Sequence, residues 1–177
     1  IKISTLVGAL ACALALPQLA QAATLFTTDG TDLYRFNSAN PLTVTKIGAL
    51  GVRIDGLDFR SSNGLLYGYS DGNDSVYTIN PQTGAATFVS TLNNGTNTID
   101  LGVDFNPVPD RMRIVTASDQ NLRANVDTGA TLIDGTLNYA VGDANEGVNP
   151  AIFDAAYTNA DNDPATGTKL YYIDVNL

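Results

Sequence analysis

Short runs of alternating hydrophobic and polar residues fill most of the chain, and turn residues separate one run from the next. The segment 56–92 shows this best, with strand-like runs at 56–59, 65–70, 76–80 and 85–92. Asn-Gly, Asp-Gly and Pro-Gln-Thr-Gly sequences lie between these runs, and such residues favour tight turns. The segment therefore predicts four strands joined by hairpins in an antiparallel meander.

The same pattern repeats along the chain. Similar strand-like runs end at Asn37, Asn80, Asn125 and Asp174. These ends lie 43, 45 and 49 residues apart, and a second marker, Gly-x-Asp-Phe, keeps step with them at 56–59 and 102–105. A weaker copy of this marker stands at 154–157. A period of about 45 residues filled with short strands is the spacing of a propeller blade, so we predict an all-β propeller of four-stranded antiparallel blades.

The sequence contains about three and a half of these blades, whereas propellers usually have four to eight. The second full blade is predicted to contain strands at 102–105, 111–116, 121–126 and 130–134. Three strands precede the two full blades, at 24–28, 33–37 and 42–47, without an inner strand. Two strands follow, at 153–158 and 170–174. We therefore predict an incomplete ring, truncated at its C-terminus.

The N-terminal segment has the pattern of a secretory signal peptide. A positive charge at Lys2 precedes an uncharged apolar run over 6–16, and Ala20-Gln21-Ala22 forms a cleavage site of the A-x-A type. The apolar run is too short to span a membrane as a helix. We predict a signal peptide over 1–22, a repeat domain over 23–177 that begins near Ala23 and has no membrane span, and export to the periplasm, cell surface or medium.

The overall charge narrows the range of partners. The 177 residues include 18 Asp and Glu against 9 Lys and Arg, for a net charge of −9 at pH 7. Such an acidic chain is unsuited to bind nucleic acid or anionic membranes. All the acidic residues except Glu146 are Asp, a turn-forming residue, which agrees with a loop-rich β protein.

Two absences exclude whole classes of catalysis. The chain has no His, and its one Cys, Cys12, lies in the predicted signal peptide. Ser-His-Asp and Cys-His catalysis and the usual zinc or copper sites are therefore excluded. Hard cations that bind oxygen ligands, above all Ca²⁺, remain possible cofactors.

Motifs in the two full blades resemble a known family. The second blade carries Asp104-Phe105-Asn106-Pro107, Asp110-Arg111, Arg113, Gln120-Asn121, Arg123, Asn125 and Asp127-Thr128-Gly129. The first carries Asp58-Phe59-Arg60, Asn63-Gly64, Leu66-Tyr67-Gly68, Tyr77-Thr78-Ile79-Asn80-Pro81 and Thr83-Gly84-Ala85-Ala86-Thr87. Together they resemble the bacterial exported family known as domain of unknown function 4394. The resemblance implies a propeller-like exported protein, and it implies no activity.

An arginine cluster is the most distinctive polar feature. Arg111 and Arg113 are two residues apart on one predicted strand and so share a face, and Arg123 lies on the hairpin partner strand. Three guanidinium groups could hold a carboxylate or sulfate through bidentate hydrogen bonds. Alternatively, the three arginines form structural ion pairs between blades. The local acids available for that role are Asp104, Asp110 and Asp127.

Asp58 and Asp104 occupy the same position in successive repeats. Equivalent carboxylates of neighbouring blades could ring a central channel and bind Ca²⁺ there. Asn63, Asn106 and Asn149 could add amide oxygens. Alternatively, each Asp caps a turn or pairs with Arg once per blade.

Three acidic turns are further candidate calcium ligands. These turns lie at 71–74, 143–146 and 161–163. The turn at 143–146 is the best candidate, with Asp143, Asn145 and Glu146 as its oxygen ligands. None of the three matches the twelve-residue calcium loop of EF-hands. The alternative is that all three are ordinary solvated turns.

Two functions fit these features. The first is a non-enzymatic exported propeller that binds a protein or a glycan at the cell surface. It is favoured by the lack of His and Cys and by the even repetition. The second is a calcium-dependent hydrolase, of the lactonase or esterase type, acting at the mouth of the channel through Asp58 and Asp104.

Overall fold

The computed structural model describes residues 22–98 and 100–177, so the predicted signal peptide lies outside the described residues except for Ala22. The described chain forms thirteen strands in four antiparallel sheets. Its helical content is one 3₁₀ turn, Asp71–Asn73. No helix in this part of the chain has the length and apolarity needed to cross a membrane.

Each sheet takes consecutive strands in chain order. Sheet 1 contains β1 (Thr24–Thr28), β2 (Asp32–Asn37) and β3 (Asn40–Ala49). Sheet 2 contains β4 (Gly56–Arg60), β5 (Leu65–Ser70), β6 (Ser75–Ile79) and β7 (Ala86–Thr91). Sheet 3 contains β8 (Leu101–Asn106), β9 (Arg111–Thr116), β10 (Asn121–Ala124) and β11 (Thr131–Ile133). Sheet 4 contains β12 (Ile152–Tyr157) and β13 (Leu170–Asp174). The two predicted four-stranded repeats and the three-stranded first sheet are confirmed.

The same turn closes the third strand of sheets 2 and 3. Gly84 donates its backbone N–H to the Asn80 carbonyl at 2.8 Å, and Gly129 donates to the Asn125 carbonyl at 2.8 Å. Both glycines have a positive φ, +83° and +75°, a conformation that side chains disfavour. The repeated Thr-Gly dipeptide of the sequence therefore marks a repeated backbone conformation.

The predicted place of the last strand was wrong. β13 pairs directly with β12, with Tyr157 opposite Leu170 and Ala156 opposite Tyr171. It therefore occupies the position of β5 and β9, whereas the repeat spacing aligned it with β6 and β10. The misalignment arose because a long hairpin loop over 158–169 replaces the short turn between the first two strands of sheets 2 and 3.

Side chains alternate between the two faces of each strand, so both faces of a sheet can pack against neighbouring sheets. On β5, Leu66 packs in the apolar layer toward sheet 1, and the adjacent Tyr67 packs in the layer toward sheet 3. A third layer, centred on Val115, Ile152 and Ala155, joins sheets 3 and 4. The four sheets thus stack in chain order with an apolar layer between each neighbouring pair.

The first strands of sheets 2, 3 and 4 approach closely where the Gly-x-Asp marker stands. A Cβ atom on Gly56 would lie 2.4 Å from Val103 Cγ2, and one on Gly102 would lie 2.4 Å from Asp154 Cα. Glycine is therefore required for β4, β8 and β12 to lie side by side. Beside them is a mainly polar cleft of about 270 Å³, lined also by β1 residues.

A buried hydroxyl provides a test of the contact between sheets 2 and 3. Ser90 Oγ donates to the Val126 carbonyl at 2.6 Å, and both residues are buried. Ser90→Ala should lower the free energy of unfolding by about 1 kcal/mol, because the carbonyl loses its donor away from water. Urea unfolding measures the change, and Ser61→Ala serves as the control, with an expected effect below about 0.5 kcal/mol. Equal effects of the two substitutions would contradict the bridge.

Candidate functional site

Asp58 and Asp104 each connect one sheet to the next. Asp58 Oδ2 accepts a hydrogen bond from the Phe105 backbone N–H at 2.9 Å. Asp104 Oδ2 accepts one from the Tyr157 backbone N–H at 2.8 Å. The two equivalent aspartates thus make equivalent bonds, from sheet 2 to sheet 3 and from sheet 3 to sheet 4. The sequence alternative was that each Asp caps a turn or pairs with an arginine. Each Asp instead accepts from a backbone N–H of the next sheet, and neither pairs with an arginine of the described chain.

The two carboxyl groups also lie close enough to share a hydrogen bond when one of them is protonated. Burial, the charge of Asp58 and the hydrogen bond between the two side chains together raise the pKa of Asp104 to about 8. Burial also raises the pKa of Asp58, although the hydrogen bond with Asp104 opposes that change. At neutral pH one of the two carboxyl groups therefore keeps a proton, and the pair carries one negative charge.

The other predicted calcium ligands form separate local turns. Asp143 Oδ1 accepts from the Asn145 N–H at 2.8 Å, and Glu146 Oε2 accepts from the Gly142 N–H at 2.7 Å. Asp143, Asn145 and Glu146 lie in the irregular segment between β11 and β12, and no hydrogen bond or ion pair in the described residues joins them to Asp58 or Asp104.

The three asparagines named as additional ligands act within hairpins and loops. The Asn63 side-chain oxygen accepts from Leu65 N–H, and that of Asn106 accepts from Val108 N–H. Asn149 donates to the Asp119 carboxylate. In residues 22–98 and 100–177, no three His, Cys, Asp or Glu side chains lie close enough together to hold a metal ion. Calcium at Asp58 and Asp104 stays a prediction.

The structure divides the predicted arginine cluster into two parts. Arg113 donates to Asn121 Oδ1 and to Asp134 Oδ2, both at 2.6 Å, and Arg123 also pairs with Asp134, at 2.7 Å. Arg113 and Arg123 lie directly opposite each other on β9 and β10, as the hairpin predicted. Their shared acid is Asp134, which was not among the acids proposed from sequence.

Arg111 makes a different set of contacts. Its Nη1 donates to the backbone carbonyls of Pro109, at 3.1 Å, and Asp110, at 2.8 Å. No carboxylate of the described chain lies within ion-pair distance of it. Arg111 and Arg123 line an open groove of about 560 Å³ on sheet 3.

The strongest ion-pair cluster is centred on Arg60, which was not among the predicted site residues. Its buried guanidinium bonds both carboxylate oxygens of Asp110, at 2.9 and 2.6 Å, and both of Asp127, at 2.7 Å each. It also donates to the Tyr67 hydroxyl at 3.2 Å. The hydrogen bonds from Arg60 lower the pKa of both acids.

The Arg60 cluster corrects one sequence interpretation. Asp110 and Asp127 were candidate partners of Arg111, Arg113 and Arg123 in the ion-pair alternative, but they bind an arginine of the preceding sheet. One signal could have revealed this: Arg60 stands two residues after Asp58 and so shares its face toward sheet 3. The equivalent residue of the next repeat is the uncharged Asn106.

These features define an all-β repeat protein whose successive antiparallel sheets are joined by buried charges and polar bonds. Residues 32–177 match the family described as Domain of unknown function (DUF4394). The chain therefore belongs to that family, which confirms the resemblance drawn from the sequence motifs.

One solved structure provides a comparison of folds. The chain is similar to the crystal structure of a structural genomics protein of unknown function from Bacteroides thetaiotaomicron, with 17% sequence identity and a TM-score of 0.50. The match covers 64% of this chain and 30% of the other, so the likeness concerns the fold of a part. A search of curated proteins found no match.

Proposed function

We propose that the chain forms blades of a β-propeller and acts as an exported, non-enzymatic binding protein. One observation carries this proposal. Asp58 and Asp104, which the sequence made candidates for chemistry, are bonded between sheets, and so is the buried Arg60. Groups held in this way stabilise a scaffold, and the outer strands and loops then remain for binding.

The stacking of the sheets supports the propeller. Each sheet is a meander, the first strands of sheets 2 to 4 lie side by side, and apolar layers join every neighbouring pair. In a propeller the innermost strands of successive blades meet around a central channel. The polar cleft beside β1, β4, β8 and β12 is the place such a channel would take.

The N-terminal pattern supports export, because a charged start, an apolar run and an A-x-A site are the features of a secretory signal. A protein outside the cytoplasm meets polysaccharides and surface proteins. The partner is therefore a protein or a glycan at the cell surface, and the binding surface lies away from the bonded charges between sheets.

A calcium-dependent hydrolase is the second candidate, and the Asp58–Asp104 pair favours it. The two carboxyl groups bond to each other across first strands that lie side by side. A Ca²⁺ ion that displaced the shared proton would be bound by two carboxylates and could polarise an ester or lactone carbonyl.

Calorimetry of the full-length mature protein, with and without millimolar CaCl₂, separates the two candidates. Wild type and an Asp58→Asn/Asp104→Asn variant are melted in parallel, with MgCl₂ as the ionic control, and assayed on ester, lactone and glycoside panels. We expect no calcium-specific rise in Tm and no turnover. At a hundredfold excess over Kd, a bound ion would add about 2.7 kcal/mol, which raises Tm by several degrees. Such a rise, lost in the variant and accompanied by turnover, would establish the hydrolase instead.

A further inference from the structure

We draw no further inference here: the strongest candidate, the pair of acids Asp161 and Asp163 in the exposed loop between β12 and β13, is an acidic cluster with no second feature that points to a ligand, because the neighbouring Asn159 presents its amide nitrogen to Asp161 and not the buried side-chain oxygen that lacks a hydrogen bond within the described residues.

Discussion

The variant Asp110→Asn/Asp127→Asn should be among the least stable folded forms of this protein, with about 3–5 kcal/mol less unfolding free energy than wild type. The Arg60 side chain is only 8% exposed and bonds both acids. Removing both charges leaves a buried guanidinium without compensation. Urea unfolding at pH 7 gives the difference in free energy.

Removing the arginine should cost less than removing its acids. The side chains of Asp110 and Asp127 are 31% and 56% exposed, so water can solvate them after Arg60→Met. We expect a loss of about 2 kcal/mol of unfolding free energy for that substitution. The triple variant Arg60→Met/Asp110→Asn/Asp127→Asn should be more stable than Asp110→Asn/Asp127→Asn. The exposed Lys46–Asp32 pair is the control, and Asp32→Asn should cost less than about 1 kcal/mol. A double-Asn variant as stable as Asp32→Asn would refute a central role for the Arg60 cluster.

The sheets of this protein were predictable from the sequence because their determinants are local. Period-two alternation fixes the two faces of β5, and the Asn and Gly residues of the turn fix its conformation at Gly84 and again at Gly129. The opposition of Arg113 and Arg123 was predictable for the same reason, since one short hairpin joins their strands.

The partners of the charged groups were not predictable in the same way. Arg60 binds Asp110 and Asp127 at separations of 50 and 67 residues, and these contacts depend on how two sheets stack. The sequence identifies Asp110 as a candidate partner for an arginine, but several arginines stand nearer to it along the chain. The position of β13 was missed because the loop over 158–169 is much longer than the turns after β4 and β8, so the repeat spacing placed β13 one strand too far out.

The roles of Asp58 and Asp104 were predictable only in part. Their equivalence follows from the repeat, and so does the expectation of a bond made once per blade. Their bond to each other depends on the close approach of β4 and β8, which Gly56 permits. A repeat of identical carboxylates therefore becomes, through packing, a pair that shares one proton.

That shared proton gives the second large prediction, a stability that decreases as the pH rises. The pKa of Asp104 is raised in the folded state to about 8, so between pH 5 and pH 8 the folded chain retains a proton that the unfolded chain releases. The stabilisation is complete below the unfolded pKa of Asp and is lost as pH rises through the folded pKa. Allowing for solvent screening of a partly exposed pair, we expect a decrease of about 2 kcal/mol across this range.

The composition makes it easy to assign this change of unfolding free energy with pH to the Asp58–Asp104 pair. The chain has no His, so few other side chains titrate between pH 5 and pH 8. The pKa values of Asp110, Asp127 and Asp134 are lowered in the folded state, so their contributions change only at more acidic pH. Urea unfolding at half-unit steps from pH 5 to pH 8 measures the slope directly.

Asp104→Asn should remove the slope and make the variant more stable than wild type at pH 8. The amide keeps an oxygen that can accept from Tyr157 N–H, and it has no charge to bury beside Asp58. Asp58→Asn should also flatten the slope, because the pKa of Asp104 falls when the neighbouring charge is removed. Asp119→Asn, the same substitution at an exposed turn, should leave the wild-type slope. If wild-type stability rises toward pH 8, or if Asp104→Asn follows wild type in parallel, the two carboxyl groups do not share a proton.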